Sequence, residues 1–188
     1  SISGILGKLY LSVNLFNSDS FKSTDCYYKK IKSPAELVAG VLRITKEFDS
    51  PKAEIMARND QTSYMGQTLL NPPTVEGWHQ GTGWLDTGTL VERLNFSTQQ
   101  IGDASKPGVQ AMVNRIASTN EGVVSPENLV EACLDQVGAI SVSSETRKVL
   151  VDFASLGGDV QLGSRRHVGE TRKRIAGVLG MVASTHEF

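Results

Sequence analysis

The chain has 188 residues, of which 39% are hydrophobic, 21% charged and 6% aromatic, a balance that excludes collagen-like and low-complexity polymers and lets about 70% of the unfolded surface be buried without disulfides or metals. Nineteen basic residues face twenty acidic ones for a formal charge of −1, so the broad basic field that drives nonspecific nucleic-acid binding is missing. No apolar run approaches the ~18 residues of a membrane-spanning helix, and neither nucleic acid nor a membrane span is expected.

The opening Ser1-Ile2-Ser3-Gly4-Ile5-Leu6 shows no initiator methionine, charged leader or cleavage pattern. It reads as the interior of a longer protein, so residues 1–188 are expected to form a single helical domain that is a C-terminal fragment. Ile2, Ile5, Leu6 and Leu9 follow helical spacing up to the polar turn Asn17-Ser18-Asp19-Ser20. Ser33-Pro34-Ala35-Glu36 combines a capping serine, a first-turn proline and a capping-box glutamate. It predicts a helix to about Phe48 with Leu37, Val41, Ile44 and Phe48 as its apolar stripe. Two shorter helices are expected over 52–58 and 61–70, the second placing Tyr64, Met65, Leu69 and Leu70 in apolar contacts.

Residues 88–100 predict a helix with Leu90, Val91, Leu94 and Phe96 inside. Another follows Pro107 and holds Val109, Met112, Val113 and Ile116. Ser125-Pro126-Glu127 opens a helix carrying Leu129, Val130, Cys133, Leu134 and Val137. Ser144-Glu145 opens the next, with Val149, Leu150 and Phe153 inward and Gly157-Gly158 as its stop. The last runs from about Ser164 to Ser184, with Ile175, Val178, Leu179 and Val182 on one face. Residues 139–142 and 160–162 are too short to build a sheet and are expected to serve as loop anchors. The fold class is all-α, an irregular multi-helix bundle with one long loop containing proline, glycine and tryptophan; weak periodicity near 97–106 marks a subdivision inside it.

That loop, Asn71-Pro72-Pro73-Thr74-Val75-Glu76-Gly77-Trp78-His79-Gln80-Gly81-Thr82-Gly83-Trp84-Leu85-Asp86, holds both tryptophans of the chain. It exceeds the two to eight residues usual between helices, and loops of such length are commonly functional or pinned by their own side chains. Three readings stay open. Trp78 and Trp84 plug the loop onto the helices, each burying on the order of 150–250 Å². Alternatively they form a ligand surface, with Glu76, His79 and Asp86 supplying polar or acid–base groups. The third reading is a protein contact surface.

Cys133 reads as a buried free thiol, and with Cys26 it makes no CxxC pair. No HExxH, GxSxG or P-loop pattern occurs, so no metal, no cofactor and no complete catalytic constellation are expected. Arg165, Arg166, His167, Arg172, Lys173 and Arg174 read as a solvated helical face, with Glu170 placed to pair with Arg174. Glu127, Glu131 and Asp135 read as another wet face.

Several motifs occur in order: Ile31-Lys32-Ser33-Pro34-Ala35-Glu36-Leu37-Val38, Met65-Gly66-Gln67-Thr68-Leu69-Leu70-Asn71-Pro72-Pro73, Val75-Glu76-Gly77-Trp78, Trp84-Leu85-Asp86-Thr87 and Leu90-Val91-Glu92-Arg93-Leu94-Asn95-Phe96. Together they resemble the C-terminal part of the bacterial family known as domain of unknown function 1800. From residue 97 the resemblance weakens and is similar to the helical extension of planctomycete-type members. It implies a mostly helical module of a larger exported protein, acting in protein binding or in envelope or extracellular assembly. A periplasmic, cell-envelope or extracellular setting follows. The implied partners are a secreted protein similar to sulfatases and phosphatases and the N-terminal remainder of the same protein. The alternative is part of a hydrolytic enzyme acting on an extracellular polymer or ester, with the 71–86 loop lining its cleft. Many members carry proline where this chain has His79, which argues against a general catalytic role for the histidine.

Overall fold

Most of the helices begin where a short polar side chain or a proline serves the first turn. The computed structural model describes residues 31–47, 60–78, 80–120, 122–138, 140–162, 168–185 and 187–188. The helices expected at 1–13 and 52–58, together with Cys26, Phe48, His79 and residues 165–167, lie outside them. In α1 (Pro34–Thr45) the Glu36 N–H donates to Ser33 Oγ at 3.3 Å and the Ser33 N–H donates to Glu36 Oε2 at 2.8 Å, the reciprocal pair the sequence predicts. The helix stops short of Phe48 because Lys46 turns left-handed at φ 58°. The apolar spacing runs past this point and hides the stop.

The remaining helices are α2 (Thr87–Ile101), α3 (Pro107–Thr119), α4 (Pro126–Val137), α5 (Ser144–Ser155) and α6 (Val168–Val182). Ser125 and Ser143 cap α4 and α5 by accepting from Asn128 N–H and Thr146 N–H, at 3.4 and 3.0 Å. Residues 60–64 are helical, but that helix does not continue to 70. Gly66 takes φ 90°, and the Gln67 N–H returns to the Thr62 carbonyl at 2.7 Å, closing the helix.

Residues 160–162 also depart from the expected loop anchor. β2 (Val160–Gln161) pairs antiparallel with β1 (Val123–Val124), Val124 opposite Val160 and Val123 opposite Gln161. Val124 and Val160 face inward and their neighbours outward, the alternation of a pleated pair. The ribbon is only two residues long, and the fold remains mostly all-α.

α6 is the centre of the packing and touches α2, α3, α4 and α5, while α1 lies on α2 and α3. Ile175, Ala176, Val178, Leu179, Met181 and Val182 are all buried, and Ala183 just beyond them, so the second half of the helix is apolar nearly all round, as a segment enclosed by other helices must be, while Glu170, Arg172 and Lys173 keep its first half exposed. Buried residues of all six helices and both strands join one apolar cluster. Two close approaches depend on glycine. A Cβ at Gly180 would stand 3.0 Å from Gly102 Cα and 3.1 Å from the Thr98 carbonyl oxygen, and one at Gly108 would collide with the Ile44 carbonyl where α1 ends against α3.

Polar ties hold the periphery. Arg174 donates to the carbonyls of Gly158 at 2.5 Å and Asp159 at 3.2 Å, capping the exit of α5 with positive charge. Glu187 Oε1 accepts from Ser143 N–H and Thr146 Oγ1, both at 3.1 Å, at the start of α5. Arg147 pairs with Glu131, and Lys106 with Glu47.

Candidate functional site

The tryptophan loop is fastened at both ends and bare in between. At its entry Met65, Thr62 and Gln67 are buried, and Gln67 Oε1 accepts from the Ala35 N–H at 2.8 Å, satisfying one of the orphan donors in the first turn of α1. At its exit residues Gly81–Trp84 form a 3-10 turn and Trp84 is 7% exposed. Asp86 caps α2: Oδ1 accepts from the Thr89 N–H at 2.9 Å while the Asp86 N–H donates to Thr89 Oγ1 at 3.1 Å. Thr89 Oγ1 also donates to the Trp84 carbonyl at 2.9 Å, which ties the tryptophan turn to the helix.

Between these anchors lie two exposed turns. The Asn71 N–H donates to the Thr68 carbonyl at 3.1 Å, and Leu70 takes φ 65° with its side chain 97% exposed. The Gly77 N–H donates to the Thr74 carbonyl at 3.1 Å, and Val75 at the tip is fully exposed. Tyr64 and Leu69 are exposed as well. The expected apolar contacts of residues 64–70 are therefore made by Met65 alone, because the helix ends there and the following backbone turns outward.

Of the five residues singled out from sequence, Glu76 stands exposed at the Thr74–Gly77 turn, Asp86 caps α2, Trp84 is buried and Trp78 is half-buried. His79 lies outside the described residues. The Trp78 indole Nε1 is buried with no hydrogen-bond partner among the described residues. A cavity of about 290 Å³ opens elsewhere, between Leu37, Val41 and Ile44 of α1 and Val137, Ile140 and Phe188, with Lys32 and Glu187 as its charged lining. None of the four described residues among the five lines it. Among the described residues no group of three or more histidine, cysteine, aspartate or glutamate side chains is placed to hold a metal ion, and no helix is long and apolar enough to cross a membrane.

Three buried or partly buried groups carry perturbed charge. Burial pushes the Cys133 thiol up to about 12. Lys32 is lowered by burial, against an opposing pull from Glu36; its Nζ donates to the Phe188 carbonyl at 2.7 Å and lies 4.9 Å from the Phe188 ring centroid. Arg93, 7% exposed, is lowered by burial alone. Sequence reading missed Arg93 among the inward residues of α2. The signal was its position four residues before Ser97 and eight before Ile101, both buried on the same helix.

The fold and these motifs define a helical protein of the family described as protein of unknown function (DUF1800). The family model matches residues 10–188, and the chain belongs to this family. The match continues well past residue 97, where the motif resemblance thins. No curated protein and no solved structure matches the chain.

Proposed function

We propose that this chain is a protein-binding module whose docking surface is the 64–75 segment, which leads into the tryptophan loop. The observation that supports the reading is the exposure of Tyr64, Leu69, Leu70 and Val75 on a segment held at both ends by buried anchors. Isolated exposed apolar residues are ordinary, but four concentrated on one short segment are the kind of exposure that supports an interaction role. Leu70 is held in the left-handed region, which costs a non-glycine residue about 1–2 kcal/mol, and strain of this sort accumulates at sites where function uses it. The setting in this proposal is the cell envelope or its exterior. The partner is a secreted protein of the sulfatase or phosphatase type, or the remainder of the same polypeptide.

The hydrolase alternative receives no comparable support from the geometry. Asp86 is committed to a helix cap, Glu76 projects from a turn tip, and neither borders the 290 Å³ cavity. The test is crosslinking and co-purification from the native source with wild type and with a Leu70→Asp, Val75→Asp double variant. Aspartate tolerates the left-handed region and both sites are exposed, so the fold is expected to persist. Loss of the captured partner with an unchanged melting temperature is the expected result, whereas equal capture by the variant removes the loop from the interface.

A further inference from the structure

The cavity of about 290 Å³ shares no residue with the docking segment. Leu37, Val41 and Ile44 of α1, with Val137 and Ile140 at and just beyond the end of α4, give it an aliphatic lining. Its charges gather beside Phe188. Lys32 Nζ donates to the Phe188 carbonyl at 2.7 Å and Glu187 is the neighbouring residue, so one ammonium and one carboxylate border the cavity side by side. The Phe188 carbonyl takes one of the three N–H donors of the ammonium. Glu187 Oε1 accepts from the Ser143 N–H and the Thr146 hydroxyl, both uncharged, so these bonds leave its negative charge in place. Glu36 lies close to Lys32 but outside the lining, and its carboxylate caps α1. Two glycines also border the space. Gly138 takes φ 132°, where a side chain is strained, but Gly40 sits inside α1, and a Cβ there would meet nothing within 4 Å. Glycine inside a helix is unfavourable relative to alanine. No packing contact requires it at position 40; its missing side chain keeps the cavity clear.

We propose that this cavity binds a free aliphatic α-amino acid, its carboxylate on the Lys32 ammonium, its ammonium on the Glu187 carboxylate and its side chain against Leu37, Val41, Ile44 and Val137. The volume sits at the small end of the roughly 300–1,000 Å³ of ligand sites. Charge complementarity selects the ligand class. An uncharged hydrocarbon would cover both charged side chains without replacing their water, and a fatty acid or an alkylamine would match one charge and oppose the other. An α-amino acid carries one charge of each sign on a single carbon, with an apolar group to fill the aliphatic side.

The experiment is nitrogen-15 NMR on the full 188-residue chain, following the Gly40 and Gly138 amides during titration with L-leucine at neutral pH and constant ionic strength. Saturable shifts of both amides are the expected result. Two analogues separate the charges: 4-methylpentanoate lacks the ammonium and 3-methylbutylamine lacks the carboxylate. Each should bind weaker than leucine by about tenfold or more, the loss of one charge-assisted contact. Gly40→Leu supplies the second arm. Its side chain enters open space, so the melting temperature is expected to hold or rise, while leucine should no longer move the Gly138 amide. The absence of a saturable shift at either amide in the wild type overturns the proposal. So does an analogue that binds as tightly as leucine, or undiminished leucine binding by the folded Gly40→Leu chain.

Discussion

α6 and the 64–75 segment leading into the tryptophan loop both carry several large apolar side chains, yet one encloses nearly all of its own and the other displays all but Met65. Leu179 and Ile175 are fully buried among four other helices, whereas Leu70 and Val75 touch little but solvent. The difference is set by the backbone rather than by side-chain hydrophobicity. A continuous helix repeats its contacts every turn and can be surrounded, while two consecutive tight turns aim successive side chains in unrelated directions. Apolar content alone therefore says little about burial in this protein; the regularity of the backbone that carries it says much more.

The comparison breaks most readily at its largest predicted difference. Leu179→Ala should destabilise by about 2–5 kcal/mol, since it removes buried methyl groups and leaves a cavity, while Val75→Ala should stay within about 0.5 kcal/mol. Urea unfolding of both variants checks this. Similar costs at the two positions would mean that the loop tip is packed in solution, and the contrast between the regions would fail.

A second, smaller effect sharpens the core side of the contrast. Cys133 is fully buried on α4, and burial raises its thiol from an ordinary value of 9.0 to about 12. Between these values the unfolded chain loses the thiol proton and the folded chain keeps it, so the folded state binds more protons and stability falls as pH rises. The contribution is fully present below about pH 9 and declines by up to about 1.4 kcal/mol per pH unit above it. Denaturant melts from pH 8 to 11 should show this slope in wild type and a shallower one in Cys133→Ala. An equal slope in both would place the alkaline transition on other groups.

Much of the architecture was legible because its signals are local. Serine and proline at 33–34 and 125–126 announce two helix starts, and the stripes of α3, α4 and α6 name their buried faces. What escaped depends on distant parts of the chain. The pairing of Val124 with Val160 is invisible in either dipeptide alone. The stop of α1 at Lys46 is masked by apolar residues that keep the period, and Arg93 is absent from the inward residues that the sequence names for α2, because a charge usually faces solvent. For the site, the tryptophan loop stood out by length and composition, while Asp86, read there as a polar or acid–base group, caps α2. The division between buried Trp84 and the exposed residues before it was not readable, because the 3-10 turn and its tie to Thr89 decide it.

The smallest prediction separates strain from contact at Leu70. Its left-handed backbone costs about 1–2 kcal/mol for a leucine, while glycine adopts the same angles freely but gives up about 0.5–1 kcal/mol through the greater freedom of the unfolded chain. The balance predicts that Leu70→Gly stabilises the isolated chain by a few tenths to about 1 kcal/mol, seen as a higher denaturation midpoint with an unchanged slope. The same substitution deletes the exposed side chain, so partner capture should weaken even as the fold gains stability. Opposite movements of the two measurements are what a residue retained for binding rather than for folding must produce. If stability falls instead, the Leu70 side chain contributes packing to the folded chain, and Leu70 belongs with Met65 as an anchor rather than with Val75 on the proposed docking surface.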